Sequence, residues 1–162
     1  MIYLLAALLA VSSCTNFTLH RHPGDSPAKC LDGSPAALYY LEGVQSDKFV
    51  VYFEGGGLCR GDGPAETIEY CYKRSFTGLG SSVNYPDSRS FEKWAFLSSE
   101  MQSNPFHDWN KVFVPYCDGS THQGSRLLPV SYKERDLYFR GSNNTIAHFD
   151  FLQERFGFWD AK

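Results

Sequence analysis

Three consecutive glycines, Gly55, Gly56 and Gly57, are the residues of this sequence with the clearest potential for chemistry. Glycine accepts backbone angles that are closed to other residues, and it has no side chain between its N–H group and a ligand. A loop of this kind can direct amides at a phosphate, or at the negative charge that develops on an ester carbonyl during hydrolysis. A turn that only requires glycine is the third interpretation.

The residues after the loop do not favour the phosphate interpretation. A phosphate-binding loop has the pattern G-x-x-x-x-G-K-[ST]. Gly56 is followed by Gly61 at this spacing, but the next residue is Asp62, an acid in the place of the lysine. An HGGG-type turn that forms an oxyanion hole after a strand fits the sequence better.

A second loop carries the residue types of a hydrolytic triad, namely Asp118, Ser120 and His122. Neighbours within one loop rarely reach each other in the geometry of a nucleophile, its base and an orienting acid. We therefore expect this loop to be a turn that shapes a pocket, with His122 in the pocket wall.

Two predicted strands position these loops. Residues 49–53 are five apolar residues in a row, which is typical of a strand buried on both faces, and they lead directly into the glycines. Residues 111–116 predict a second strand, which leads into the loop of Asp118 at the same end of the sheet. A strand that runs into a glycine loop, in a sheet with helical connections, is where α/β proteins usually place a site.

The remaining elements are predicted from periodicity and from helix-terminating residues. We expect an irregular arm over 14–29, and a strand over 37–41 that residues 42–48 turn back into a hairpin with 49–53. Helices are expected over 65–75, with Pro64 at the first position, and over 91–101, with Ser90 as its cap.

A last helix is predicted after Gly141. Ser142 or Asn143 is expected to cap it, and Gly157 to end it. One apolar face is predicted from four residues at helical spacing, which are Ile146, Phe149, Leu152 and Phe156.

The composition indicates one exported domain. A length of 162 residues suffices for a single core, and a net charge of -3 gives no reason to expect a nucleic-acid partner. The apolar run at 4–11 is too short to span a membrane and is followed by small residues, so we predict a signal peptide over 1–13. Residues 11–14 also resemble a bacterial lipoprotein box, which is the alternative.

Glycosylation patterns and cysteines agree with a secreted protein. Asn16 and Asn143 each begin an N-x-[ST] acceptor pattern. Some of the five cysteines should pair in an oxidising compartment, and no spacing of Cys and His is typical of a zinc site, so no metal is expected. The sequence alone leaves the partners of Cys14, Cys30 and Cys117 open.

Four phrases of the sequence resemble, in order and in spacing, the plant pectin acetylesterases and their animal relative Notum. The phrases are CLDGSP at 30–35, YFEGGGLC at 52–59, NPFHDWNKVFVPYCDGS at 104–120 and YFRGSNN at 138–144. The similarity covers residues 30–156. One phrase alone would be a weak signal, and the four together are specific.

The resemblance implies an α/β-hydrolase-like sheet with flanking helices and a secreted carboxylic ester hydrolase with a Ser-His-Asp triad and no cofactor. It gives Gly56 and Gly57 the role of backbone donors in the oxyanion hole, and it pairs Cys59 with Cys71. The implied partner is an acetylated polysaccharide such as pectin in the cell wall. A lipidated protein, as in Notum, is the alternative.

The sequence departs from the family at the nucleophile, because the G-x-S-x-G elbow that should follow the last helix is absent from the 162 residues. We therefore expect residues 14–162 to be the N-terminal portion of such a domain, inactive by itself. The alternative is a non-catalytic secreted polysaccharide binder that stacks sugars on Trp94, Trp109 and Tyr116. Core packing is the simpler role for those aromatic residues.

Overall fold

The computed structural model describes residues 16–162, so the predicted signal peptide and Cys14 lie outside the described residues. Its centre is a five-stranded mixed sheet with the strand order β3-β5-β2-β1-β4. β3 and β5 are parallel, and the other neighbouring strands are antiparallel. The strands are β1 Asn16–Arg21, β2 Ala37–Leu41, β3 Gln45–Phe53, β4 Ser88–Ser90 and β5 Trp109–Val114.

Two helices and a small hairpin complete the described chain. Helix α1 is Pro64–Arg74, helix α2 is Gly141–Phe156, and the hairpin pairs β6 Val130–Tyr132 with β7 Arg135–Leu137. Helix α2 ends where Gly157 adopts a left-handed conformation with φ 65° and donates its N–H to the carbonyl of Gln153. No helix in residues 16–162 is long and apolar enough to cross a membrane.

Both faces of the sheet are covered, because successive side chains of a strand point to opposite faces. On one face, Leu38 and Val112 pack against Leu152 of α2. On the other face, Tyr39 and Phe113 pack against the loop that contains Phe91. A third cluster joins Cys71 of α1 to Cys59 after the glycines, to Leu137 of β7 and to Leu31 in the chain before β2.

The sequence correctly predicts strands β2 and β5 and helices α1 and α2, within a few residues at their ends. The predicted hairpin of 37–41 with 49–53 is wrong. β5 lies between β2 and β3, so these two strands are not neighbours. The connection crosses the start of β5 at Gly43, where a Cβ would lie 2.2 Å from the carbonyl carbon of Trp109. β3 runs parallel to β5 as a consequence.

Two further expectations are wrong. The arm over 14–29 contains strand β1, in which Phe17 is fully buried against the sheet core. Residues 91–101 form turns and no helix, with Trp94 donating to Phe91 and Leu97 donating to Trp94, each at 2.8 Å. These turns place residues three apart on one side of the chain, which is why the spacing resembles that of a helix.

The expected burial also differs at β3 and α2. Residues 49–53 are half-buried rather than enclosed, because β3 lies at the edge of the described sheet. Beside it, the N–H of Lys162 donates to the carbonyl of Asp47 at 3.0 Å. Ile146 of α2 is exposed, and the buried face of that helix carries Asn144 and His148 with Leu152. The helix starts after Arg140 without a side-chain cap.

Candidate active site

Two loops meet at the carboxyl ends of β3 and β5, which is the edge where α/β sheets form sites. The first loop contains the three glycines, and the second covers residues 115–122. Backbone hydrogen bonds join them, because Glu54 donates to Val114 at 2.9 Å and Cys59 donates to Gly119 at 3.0 Å. The sheet topology therefore brings together the two loops selected from the sequence.

Two of the three glycines are required by the geometry of the loop. A Cβ on Gly56 would lie 2.0 Å from Cδ1 of Tyr116, because the tyrosine ring packs directly on the Gly56 backbone. Gly57 has φ +67°, in the left-handed region that favours glycine. A Cβ on Gly55 would meet nothing within 4 Å. Only positions 56 and 57 therefore have a structural need for glycine.

The loop carbonyls face two buried side chains. Arg74, at the end of α1, donates through Nη1 to the carbonyl oxygen of Gly56 at 3.0 Å and also to that of Gly57. The hydroxyl of Tyr116 donates to the same Gly57 oxygen at 2.9 Å. Burial raises the pKa of Tyr116, so this hydroxyl keeps its proton at neutral pH.

The loop amides point away from these side chains. In a trans peptide the C=O and N–H of one unit are antiparallel, and the described chain contains no cis peptide bond. The held carbonyl of Gly56 therefore orients the N–H of Gly57, and the held carbonyl of Gly57 orients the N–H of Leu58. No group within residues 16–162 accepts a hydrogen bond from Gly56, Gly57 or Leu58. The loop can thus donate several hydrogen bonds to one developing anion.

Asp118, Ser120 and His122 are close together but do not have the geometry of a triad. The carboxylate of Asp118 accepts hydrogen bonds from the hydroxyl of Ser120 and from the backbone N–H of Ser120, the second at 2.9 Å. The Nε2 atom of His122 lies 2.9 Å from the carbonyl oxygen of Glu54, and its Nδ1 atom lies 3.9 Å from Asp118. Since Ser120 has no hydrogen bond to His122, no base is placed to activate it. The arrangement is a turn, with His122 packed against the rings of Phe53 and Tyr116.

Two disulfides hold the loops. Cys59 is bonded to Cys71 of α1, the pairing that the resemblance implies, with 5.0 Å between the Cα atoms. Cys30 is bonded to Cys117, a pairing that the sequence leaves open. The first disulfide ties the end of the glycine loop to α1, and the second ties the chain before β2 to the loop after β5.

The other predicted site residues lie away from the loops. Asn16 is exposed at the start of β1, and Asn143 is half-buried in the first turn of α2, so both stay predicted glycosylation sites. Within residues 16–162, no group of three or more His, Cys, Asp or Glu side chains is arranged to hold a metal ion.

Sequence reasoning misses the two side chains that hold the glycine loop. Arg74 follows Lys73 in the last turn of α1, where basic residues are common because they complement the helix dipole. From the sequence, Tyr116 is a candidate for sugar stacking. In the structure its ring packs on the Gly56 backbone and its hydroxyl donates to the Gly57 carbonyl. No local pattern distinguishes either residue, because both act on a segment distant in sequence.

The mixed sheet with a parallel pair, the helix on one face and the glycine loop after a parallel strand agree with an α/β-hydrolase-like fold. A family model described as Pectinacetylesterase matches residues 10–157, and the chain belongs to that family.

Individual relatives agree with this assignment. Pectin acetylesterase 4 of Arabidopsis thaliana is 38% identical over 117 residues, which cover 70% of this chain and 26% of that protein. A zebrafish (Danio rerio) protein named inactive palmitoleoyl-protein carboxylesterase notum1b is 37% identical over 62% of this chain and 69% of its own length. The solved structure of the Wnt deacylase Notum from Drosophila superposes with a TM-score of 0.74 at 26% identity, covering 87% of this chain and 39% of that one. The chain thus spans about a quarter of the length of the Arabidopsis protein.

Proposed function

We propose that this chain supplies the oxyanion hole of a secreted carboxylic ester hydrolase that removes acetyl groups from pectin or another cell-wall polysaccharide. The observation that carries the proposal is the glycine loop, whose carbonyls are held by Arg74 and Tyr116 while its amides have no acceptor in residues 16–162. Gly56 and Gly57 are the proposed donors, and Leu58 joins them because its N–H belongs to a held peptide unit.

The chemistry requires a nucleophile, which we propose is a serine in a protein segment outside these 162 residues. Attack of its oxygen on the acetyl carbonyl forms a tetrahedral intermediate, whose oxyanion is stabilised by the loop amides. A histidine that we place in the same outside segment takes the proton of the attacking serine and passes it to the sugar oxygen, so the collapse of the intermediate breaks the ester bond, releases the sugar hydroxyl and leaves an acetylated serine. Water then releases acetate by the same route in reverse. No step requires a metal or a cofactor.

Export of the protein is part of the proposal. Its support is the pair of disulfides, since such bonds persist in oxidising compartments and are rare in the cytosol. We expect residues 1–13 to be removed as a signal peptide and Asn16 and Asn143 to carry glycans. Mass spectrometry of the secreted protein tests both points, and a retained Met1 would contradict the first.

The test of the catalytic proposal joins this chain to a homologous C-terminal half that contains G-x-S-x-G. The 162-residue chain alone is expected to show no ester hydrolysis above buffer, and the fused protein to hydrolyse p-nitrophenyl acetate and to release acetate from pectin. Gly57→Pro deletes one amide donor and, because proline cannot adopt the φ of +67° at this position, also displaces the loop, so it should lower kcat about a hundredfold or more. A fused enzyme that is indifferent to Gly57→Pro would remove the oxyanion role from this loop.

The choice of acyl chain separates the pectin acetylesterase function from a Notum-like one. The fused enzyme should be compared on p-nitrophenyl esters of acetate and of a long fatty acid, with acetylated pectin and a palmitoleoylated peptide as the natural counterparts. Preference for acetate and pectin is the expected result. Preference for the long acyl chain would assign the protein to the deacylation of a lipidated protein.

A non-catalytic polysaccharide binder is the second candidate, because residues 16–162 contain no activated serine and one relative bears the name of an inactive enzyme. Two of the three aromatic residues proposed for sugar stacking do not support it. Trp94 packs on Tyr52 and Phe113, and Tyr116 is buried. Retention of the isolated chain on acetylated pectin, with no turnover by the fused protein, would favour the binder.

A further inference from the structure

The buried guanidinium of Arg74 has no acidic partner. Only 9% of the residue is exposed, yet no carboxylate among residues 16–162 lies within ion-pair distance of it. A buried charge is costly unless it is paired or hydrogen-bonded. Its strongest contacts are the carbonyl oxygens of Gly56 and Gly57, which accept charge-assisted hydrogen bonds. The charge is therefore directed at the backbone of the glycine loop.

We propose that Arg74 is a positioning residue of the oxyanion hole, which orients and polarises the peptide units that donate the Gly57 and Leu58 amides. An effect of Arg74 on catalysis rests on the function proposed above. Its effect on the two amides rests only on its hydrogen bonds to the Gly56 and Gly57 carbonyls. Arg74 touches neither substrate nor nucleophile in this role.

Arg74 is itself held in place by α1. The helix is tied to the end of the loop by the disulfide between Cys59 and Cys71, and Cys71 lies one turn before Arg74. The guanidinium also lies over the ring of Tyr70, 5.3 Å from its centroid. Helix α1 therefore holds the loop at two points, covalently at its end and by hydrogen bonds at its middle.

The guanidinium acts on the two amides in two ways. It fixes the direction of two peptide planes in a loop where Gly57 could otherwise rotate freely, since glycine samples both signs of φ. It also withdraws electron density from the carbonyl oxygens, and hydrogen bonds in such a chain polarise one another, so each N–H becomes a stronger donor.

Tyr116 provides an internal comparison, because its hydroxyl contacts only one of the two carbonyls. It donates to the Gly57 oxygen and accepts the N–H of Thr121 at 2.9 Å. Loss of the Arg74 contacts should disturb both the Gly57 and Leu58 amides. Loss of the tyrosine hydroxyl should disturb Leu58 and Thr121 and leave Gly57 nearly unchanged.

The test is the amide NMR spectrum of the oxidised, ¹⁵N-labelled full chain. R74Q is expected to shift or broaden the Gly57 and Leu58 resonances, and R74K, which keeps the charge but not the planar fork, should move them part of the way. Y116F should give the narrower pattern described above. R135Q is the matched control, because Arg135 also holds a carbonyl at the end of α1, that of Ser75 at 3.0 Å, without touching the loop.

Unchanged Gly57 and Leu58 resonances in R74Q or in R74K would overturn the proposal, and so would equal displacement of both amides by R135Q. If R74Q does not fold, the spectrum of the milder variant R74K decides between these outcomes. In the fused enzyme, R74Q should lower kcat at least about tenfold with little change in KM, with partial recovery in R74K. If the Gly57 and Leu58 resonances shift in R74Q but kcat does not change, Arg74 still positions the two amides. That result would contradict the proposed oxyanion function of the loop.

Discussion

The hydroxyl of Ser120 donates a hydrogen bond to the carboxylate of Asp118, which also accepts the N–H of Ser120 at 2.9 Å. A second oxygen of the same carboxylate accepts the N–H of His122 at 3.3 Å. Asp118 is almost fully buried beneath the turn, so its role is to supply acceptors for the loop backbone. Ser120 is therefore a turn residue. Its hydroxyl proton is bound to Asp118 and not to a histidine that could act as the base for nucleophilic attack.

Replacing Ser120 should therefore not affect ester hydrolysis. In the fused enzyme we expect S120A to change kcat less than about twofold, because its hydroxyl supplies neither a nucleophile nor an oxyanion donor. D118A is the contrasting variant, and it should lower the free energy of unfolding by roughly 2–4 kcal/mol because three partly buried donors, two of Ser120 and one of His122, lose their acceptor. Hydrolysis of p-nitrophenyl acetate by the isolated chain, abolished by S120A, would show that Ser120 is the nucleophile after all.

A buried pair of histidines should make the stability of the chain depend on pH. Nε2 of His22 lies 2.8 Å from Nδ1 of His148, joining the end of β1 to α2. Burial lowers the pKa of His22, and burial together with the charges of His22 and His122 lowers the pKa of His148 well below its ordinary value. Both imidazoles are thus neutral in the folded protein at pH 7.

The sign of the effect follows from proton binding. Below about pH 6.5 the unfolded chain binds protons at these histidines that the folded chain does not, so stability is complete above that pH and falls as the pH decreases towards the folded pKa values. Each imidazole contributes at most about 1.4 kcal/mol per pH unit. Urea unfolding at several pH values should show this slope, and His148→Gln should reduce it without abolishing it, because burial also lowers the pKa of His22 and of His20. Asn84→Ala, which changes an exposed residue without a titratable group, should leave the slope intact.

Asn110 should be among the most sensitive polar positions of the fold. Its side-chain amide donates to three carbonyls of β3, those of Gln45, Ser46 and Lys48, at 3.0–3.3 Å. Its oxygen accepts the hydroxyl of Tyr40 at 2.8 Å. N110A should reduce the free energy of unfolding by roughly 2–4 kcal/mol, because buried groups lose their partners. Urea unfolding measures this loss, and a cost no greater than that of the exposed control N84A would contradict it.

The two disulfides should differ in their contribution to stability. In the chain-entropy description, the stabilisation grows with the length of chain that the bond closes. The separations are 12 residues for Cys59–Cys71 and 87 residues for Cys30–Cys117. Removing the shorter link as C59A/C71A should cost about 3 kcal/mol and removing the longer as C30A/C117A about 4–5 kcal/mol. Equal costs in urea unfolding, or the reverse order, would contradict this account.

The elements that the sequence predicts well are those with strong local signals. Pro64 begins α1 and Gly157 ends α2, because proline fits the first turn and glycine fits the left-handed end of a helix. Strand β1 is missed although Phe17 and Leu19 alternate with polar residues, because nearby prolines indicate irregular chain. A helix is predicted at Phe91, Trp94 and Leu97, whose spacing of three suits a series of turns equally well.

The sequence predicts the backbone loop of the candidate site, but it does not predict the two side chains that hold this loop, Arg74 and Tyr116. The glycine loop is evident from composition, since few other residues tolerate its angles. Arg74 lies 17 residues from Gly57, and Tyr116 lies 59 residues from it, so only the fold reveals that they hold the same carbonyl. The order of strands presents the same difficulty. The parallel pairing of β3 with β5 depends on Gly43 and Asn110, whose contacts no periodicity records.

The three glycines of the loop should respond very differently to the same substitution. Gly55 has no neighbour within 4 Å of an added Cβ and no left-handed angle, so G55A should change the free energy of unfolding by less than about 0.5 kcal/mol. Gly57 has φ +67° but open space, so G57A should cost about 1–2 kcal/mol from backbone strain alone. Gly56 is the extreme case, since its Cβ would penetrate the ring of Tyr116 and force the loop away from β5.

We therefore expect the loss of stability to follow the order G56A, then G57A, then G55A, as measured by urea unfolding of the oxidised chain. The clash can be separated from other effects with Y116A, which removes the ring that the new methyl group would meet. If the clash causes the loss, G56A should cost much less in the Y116A background than in the parent chain, and the double-mutant cycle should show a coupling above about 1 kcal/mol. A G56A variant as stable as G55A would mean that the Tyr116 ring does not pack on Gly56 in solution. The orientation of the glycine loop against β5 would then need another cause, because the same ring that packs on Gly56 carries the hydroxyl that donates to Gly57.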